Sequence, residues 1–157
     1  MSRRRRAVKR PLRLDSKYHS TLVSRLVNTV MIQGRKTTAE RIVYRAFDEI
    51  LEKVPAANPL DILQRAVDNA KPRLEVKGRR VGGATYQVPL EVSAERQTSL
   101  ALRWLRRFAK ARRGVPMYKA LASEILDAYQ GQGSAIRRRD ETHKMAQSNK
   151  AFAHFRW

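Results

Sequence analysis

The chain is 157 residues long and carries 34 Lys and Arg against 14 Asp and Glu, a formal charge of +20 with a pI near 11.4. That length gives about one domain with one core, and so large a charge destabilises a free compact chain unless a polyanion neutralises it. The absence of cysteine excludes disulfides and thiolate metal sites and fits a reducing compartment, while 42% hydrophobic residues with no apolar run near the ~18 residues of a membrane span predict a soluble packed domain.

Residues 1–13 hold Arg3, Arg4, Arg5, Arg6, Lys9, Arg10 and Arg13 and no acid, with Pro11 opposing any helix. The segment lacks an apolar h-region, so it reads as a basic arm over 1–17 and not as a secretory leader. From Leu22 the apolar positions Leu22, Val23, Leu26, Val27, Val30 and Met31 form one helical stripe, predicting a first helix over 20–32 that stops at Gly34. "GRKTTAE" reads as a basic turn and a capping box, Thr37 with Glu40, opening a second helix. Its stripe is Ala39, Ile42, Val43, Ala46, Phe47, Ile50, Leu51 and Val54, and Pro55 ends it. A third helix takes Asn58 as N-cap and Pro59 as first residue, continues through Ile62, Leu63, Ala66, Val67 and Ala70, and stops at Pro72.

In "EVKGRRVGGATYQVPLEV", residues 75–92, the period changes to two. Leu74 and Val76 share a face of one strand; Tyr86, Val88, Leu90 and Val92 share a face of the next; Gly82 and Gly83 suit the turn between them. Pro89 fits only an edge, which both strands of a two-stranded ribbon are. Such a ribbon is marginal alone, so its apolar base is expected on the helices with Lys77, Arg79 and Arg80 around a projecting tip.

Ser93 can cap a fourth helix with Ala101, Leu105, Phe108 and Ala109 inward, and with Arg103, Arg106, Arg107, Lys110, Arg112 and Arg113 uninterrupted by any acid. Gly114 and Pro116 break it. A fifth helix carries Leu121, Ala122, Ile125, Leu126 and Tyr129 and ends at Gly131 and Gly133. The last segment, 134–157, has a thin stripe (Ala135, Ile136, Met145, Ala146) and is expected to be a sixth helix and tail only partly docked. Phe47, Trp104 and Phe108 sit in apolar stripes and belong to the core or its edge. For Phe155 and Trp157, stacking on a base and docking on protein both stay open. The expected fold is mainly α: about six helices forming a helical body, with one extended two-stranded β-hairpin between helices three and four, in a single domain 1–157.

Catalytic motifs fail on chemistry. In "GRKTT" the two positions where a P-loop needs glycine hold Arg35 and Val30, whose side chains block the amides that cradle phosphate. "GRRVGG" is not GxGxxG and lies in no βαβ unit. His19, His143 and His154 are too scattered for a metal site or triad, and Asp140 and Glu141 fit surface ion pairs with Lys144 and Arg137. No enzyme, metal or cofactor is expected. Basic charge instead gathers in four places: the arm, the Arg35–Lys36 turn, the hairpin and the 103–113 helix. Residues 40–61 carry five acids against three bases. Charge organised by location is the footprint of a nucleic-acid binder.

"KPRLEVKGRRVGGATYQVPLEV", "GRKTTAERIVYRAF", "ALRWL" and the terminal "HKMAQSNKAFAHFRW" together resemble the bacterial small-subunit ribosomal protein seven family, from the arm to the last residue. The resemblance implies a helical body with an extended β-hairpin, bound to the three-prime major domain of small-subunit rRNA, where such proteins initiate assembly of the head. It also implies a hairpin near the exit-site tRNA and messenger path, a C-terminal region touching a neighbouring platform protein, and a place on the cytoplasmic ribosome. One departure is Gly78, where a serine or alanine is expected; it bears on hairpin stiffness. The charge clusters and the resemblance together give the expected rRNA-binding residues: Arg3, Arg4, Arg5, Arg6, Lys9, Arg10, Arg35, Lys36, Lys71, Arg73, Lys77, Arg79, Arg80, Arg112 and Arg113. Arg79, Arg80, Val81, Gly82 and Gly83 are those expected near tRNA and messenger. Two other classes remain open. One is a basic helical DNA-binding protein, dimeric, with residues 103–113 or 135–144 in a major groove; the other is an RNA-acting enzyme, which needs a constellation the sequence lacks.

Overall fold

The structure, a computed structural model, describes residues 10–55 and 58–155. Six α-helices and one hairpin follow in order: α1 (Thr21–Val30), α2 (Lys36–Lys53), α3 (Pro59–Ala70), β1 (Leu74–Val81), β2 (Ala84–Glu91), α4 (Ala94–Ala111), α5 (Met117–Tyr129) and α6 (Gly133–Ser148), then a 3₁₀ segment, Lys150–Phe155. The mainly helical body with its hairpin between the third and fourth helices is the architecture expected. No helix among the described residues is long and apolar enough to cross a membrane.

The local signals act unevenly. Asn58 caps α3 as expected, its side chain accepting the Leu60 N–H at 3.1 Å, with Pro59 in the first turn. The expected capping box of α2 does not form: the helix begins two residues earlier, at Lys36, Arg35 takes the N-cap position without a side-chain cap, and the Glu40 carboxylate pairs with Lys36 at 3.5 Å. Gln33 and Gly34, both at positive φ, turn the chain sharply enough for Lys36 to enter the helix.

α5 is the hub. Ala120, Leu121, Ala122, Ile125, Leu126 and Ala128 are buried around most of its circumference, and α2, α3, α4 and α6 pack against it. A helix apolar on nearly every side belongs inside, and its alanines let the neighbours approach closely. Phe47, Leu26, Ile50, Leu63, Leu105 and Ile125 are fully buried around it. Trp104 is buried and Phe108 half-buried, as their stripes predict. Within α6, Ala135, Ile136 and Ala146 face inward, whereas Met145, expected among them, is exposed.

The hairpin departs from the expected packing. Gly82 and Gly83 have φ of +57° and +87°, the two left-handed residues of a type I′ turn. This fixes Val81 opposite Ala84 and, further down, Val76 opposite Pro89 and Lys77 opposite Val88. Cross-strand partners share a face, so Leu74 and Val76 lie on one side of the ribbon and Tyr86, Val88 and Leu90 on the other. A single apolar base face is therefore not what forms; both faces need cover. The C-terminal segment supplies it. α6 lies along β1, with His143 and Ala146 beside Leu74 and Pro89, while the rings of Phe152 and Phe155 stand 5.1 and 5.2 Å from that of Tyr86. For Phe155 the docking alternative is the one realised; Trp157 lies outside the described residues.

Candidate nucleic-acid interface

α4 builds the centre of the basic surface. Arg103, Arg106, Arg107 and Lys110 recur at i, i+3, i+4 and i+7, one stripe of the helix, because Ala101, Leu102, Leu105 and Ala109 occupy the buried side. The stripe spans about 10 Å of helix axis and lies in the C-terminal half, where the helix dipole favours cations. A cleft opens on each flank. Towards α1, one of about 520 Å³ is lined by Arg10, Arg25, Arg103 and Arg106, with Asn28, Thr29 and Ser99 and one acid, Glu95. Towards α6, a smaller cleft includes Arg107 and Arg137. The side chains of Arg25, Arg103, Arg106, Arg107, Lys110, Arg113 and Arg137 have no hydrogen bond or ion pair among the described residues. Cations held together without acids lower their free energy when phosphate replaces bulk counterions.

The base of the arm is fixed to the body. Asp15, 5% exposed, accepts the Lys17 and Tyr18 backbone N–H groups at 3.1 and 3.0 Å and the Tyr44 hydroxyl at 2.8 Å, and Ser24 Oγ donates to the Arg13 carbonyl at 2.8 Å. Burial, followed by the bond to Asp15, pushes the Tyr44 pKa up to about 12, so this donor stays protonated at neutral pH. The anchor places Arg10 on the wall of the larger cleft. Arg3, Arg4, Arg5, Arg6 and Lys9 lie outside the described residues.

The other expected residues divide by what they touch. Arg35 and Arg80 are exposed, their side chains without hydrogen bond or ion pair among the described residues, and Lys77 is exposed on the ribbon. Arg79 is half-buried opposite Tyr86. Val81, Gly82 and Gly83 form the tip. Lys36 and Lys71 pair with Glu40 and Asp68 at 3.5 and 2.6 Å, both at the surface, where such pairs yield readily. Arg73 gives its backbone N–H to His143 Nε2 at 2.9 Å, joining the hairpin root to α6.

Arg112 differs from its neighbour Arg113. Its guanidinium donates to Glu124 at 2.9 Å and to Asp127, and the Glu124 side chain is 1% exposed. The same Glu124 accepts the Ala135 N–H at 3.1 Å. One carboxylate thus joins the end of α4, the middle of α5 and the start of α6, and the bond to it raises the Arg112 pKa further, against an opposing effect of burial. Gly133 lets α6 start so close, because a Cβ there would come within 2.9 Å of the Asp127 Cβ and its φ is +90°.

The chain pattern missed Arg25, a lone cation in α1, and Arg137, the first of three consecutive arginines, which its spacing assigned to Glu141 although that carboxylate pairs with Arg138 at 3.2 Å. Their off-stripe positions marked them as exposed, but only tertiary packing brings them to α4. Among the described residues no group of three His, Asp or Glu is placed to hold a metal ion.

A helical body whose unpaired cations form a ridge with flanking clefts, beside an arginine-tipped ribbon, defines a structural binder of polyanions. The family model described as ribosomal protein S7p/S5e matches residues 2–150. The chain is 55% identical to the small ribosomal subunit protein uS7 of Akkermansia muciniphila, 56% to that of Rhodococcus erythropolis and 50% to that of Protochlamydia amoebophila, each over 100% of both chains. The chain belongs to the ribosomal protein S7p/S5e family. It is a protein of the small ribosomal subunit in the cytoplasm, an RNA-binding, structural component of translation and not an enzyme.

Proposed function

We propose that the protein binds the three-prime major domain of small-subunit rRNA and initiates assembly of the head, as one RNA-binding domain with a basic arm over 1–17 and a C-terminal helix and tail over 134–157. The observation that carries this is the α4 ridge: four cations on one stripe, unpaired among the described residues, with a cleft on each side. The arm, Arg35 with Lys36, Lys71 with Arg73, and Arg113 add further phosphate contacts, whereas Arg112 is held by Glu124 and Asp127. The hairpin residues Lys77, Arg79 and Arg80 reach from it, and the tip through Gly83 lines the exit-site tRNA and messenger path. The C-terminal region meets a neighbouring platform protein. A duplex-DNA reading is disfavoured because α4 is flanked by α1 and α6 and does not project as a recognition helix must. Backbone-cleavage footprinting on complete small-subunit RNA tests the assignment. Protection confined largely to the three-prime major domain is expected; protection elsewhere, or equal affinity for random duplex DNA, refutes it.

A further inference from the structure

The smaller cleft, about 330 Å³ between α4 and the first turns of α6, is lined by Arg107, Phe108, Ser134, Arg137, Arg138 and Glu141, a volume within the range of small-ligand sites. Its one carboxylate is already paired, Glu141 with Arg138 at 3.2 Å. Arg107 and Arg137 have no hydrogen bond or ion pair among the described residues, so two cations from different helices face one space with no carboxylate bound to either. Guanidinium groups in that arrangement match a phosphate. The cleft is more than cationic. Phe108 packs on the core yet stays half-exposed, so part of its ring forms the cleft wall, and Ser134 adds a hydroxyl. A bare phosphate has no use for an aromatic wall, and duplex RNA keeps its bases stacked away from one. A ring, a hydroxyl and two free guanidinium groups together suit an unstacked nucleotide, with the base on the ring and the phosphate on the arginines. The α6 N-terminus is not the source of the site, since the Ala135 N–H already donates to Glu124.

We propose that this cleft is a pocket for one unpaired, splayed-out ribonucleotide of the bound RNA. The proposal rests on the RNA-binding reading above and adds to it a preference for an exposed base over a phosphate chain alone.

The test uses the full chain and three probes: a single-stranded oligoribonucleotide with a central 2-aminopurine, the same strand abasic at that position, and its duplex. Wild type and Phe108→Tyr should quench the 2-aminopurine and bind that strand at least about fivefold more tightly than the abasic one. Phe108→Leu, which keeps the core contact, should lose both the quenching and that preference while its salt dependence stays unchanged. The Arg107→Gln, Arg137→Gln pair should lower the log–log salt slope by about 1.4 for a single strand. Equal binding of abasic and intact strands by wild type, or a folded Phe108→Leu indistinguishable from wild type, would overturn the pocket. So would an acidic peptide that competes as well as the strand. The wild-type comparison of intact and abasic strands decides the matter even if the leucine variant does not fold. Failure of the RNA-binding reading would show separately, as absence of a wild-type footprint on small-subunit RNA.

Discussion

Arg112 and Arg113 are adjacent arginines in the same basic run, yet the structure gives them different work, and replacing each by glutamine separates the two. Arg112→Gln removes the cation from a Glu124 carboxylate that is 1% exposed. Breaking a buried pair costs about 3–5 kcal/mol. Here the Arg112 side chain is 36% exposed, so water screens the pair, and Glu124 keeps the Ala135 N–H; a loss of about 2 kcal/mol is the reasoned figure. For a chain of this length that lowers Tm by roughly 4–8 °C. Arg113→Gln breaks no contact among the described residues, so its stability should stay within about 0.5 kcal/mol of wild type, while its log–log salt slope for RNA falls by about 0.7–0.9. Thermal unfolding followed by helical circular dichroism, with RNA titrations at several salt concentrations, measures both. If Arg112→Gln melts within about 1 °C of wild type and loses RNA affinity as Arg113→Gln does, the clamp reading is wrong and Arg112 is a phosphate ligand.

Replacing residues 79–83 by a Gly-Ser turn should leave the body folded and shorten the reach of the ribbon, lowering the RNA salt slope by at most about 1.8. Assembled subunits should then show altered exit-site tRNA retention or frame maintenance; normal behaviour in both assays would refute the role assigned to the tip. The His143 pKa is lowered from 6.5 by burial, then by Arg139 and Arg73 against Asp140, and its Nε2 must be unprotonated to accept the Arg73 N–H. The native state therefore binds fewer protons than the unfolded chain. The histidine's contribution is complete above about pH 6.5 and is lost as pH falls through the depressed native value. Wild type should accordingly lose more Tm between pH 7 and 5.5 than His143→Gln, whose amide oxygen accepts at any pH; equal losses would contradict this. Gly78→Ala places a Cβ 3.5 Å from Thr85 Cγ2, an ordinary contact, and should stabilise by about 0.5–1 kcal/mol through the unfolded chain; a lower urea midpoint would show strain instead.

The helices were legible because their stripes are clean: Ile62, Leu63, Ala66 and Val67 between Asn58 and Pro72 leave no other reading. Thr37 misled because a capping box also needs non-helical geometry at the cap, and the Gln33–Gly34 turn lets the helix start before it. The hairpin register is written into its turn. A two-residue Gly-Gly turn forces paired positions to add to an odd number, so even-numbered apolar residues on the two strands fall on opposite faces. Of the basic surface, the α4 run was visible as charge, but which cations are already paired was not. Arg112 and Arg113 look alike until α5 brings Glu124 beside one of them. Nor could a linear pattern place Arg137 next to Arg107, thirty positions away in a different helix.

The ribbon's two-sided character ties its shape to residues synthesised well after it. β2 is made some sixty residues before Phe152 and Phe155, and until those rings arrive Tyr86 has no aromatic neighbours to hold it among the described residues. At roughly 5–20 residues per second of synthesis, the wait is about 3–13 seconds, far longer than the ~1–10 μs in which a hairpin can close. The body can therefore collapse around α5 while the ribbon still opens and closes, and Phe152 and Phe155 then cover its Tyr86 face. A chain lacking Lys150–Phe155 would keep its six helices and leave Tyr86 without either ring, so the aim of the ribbon depends on a segment far from it in sequence.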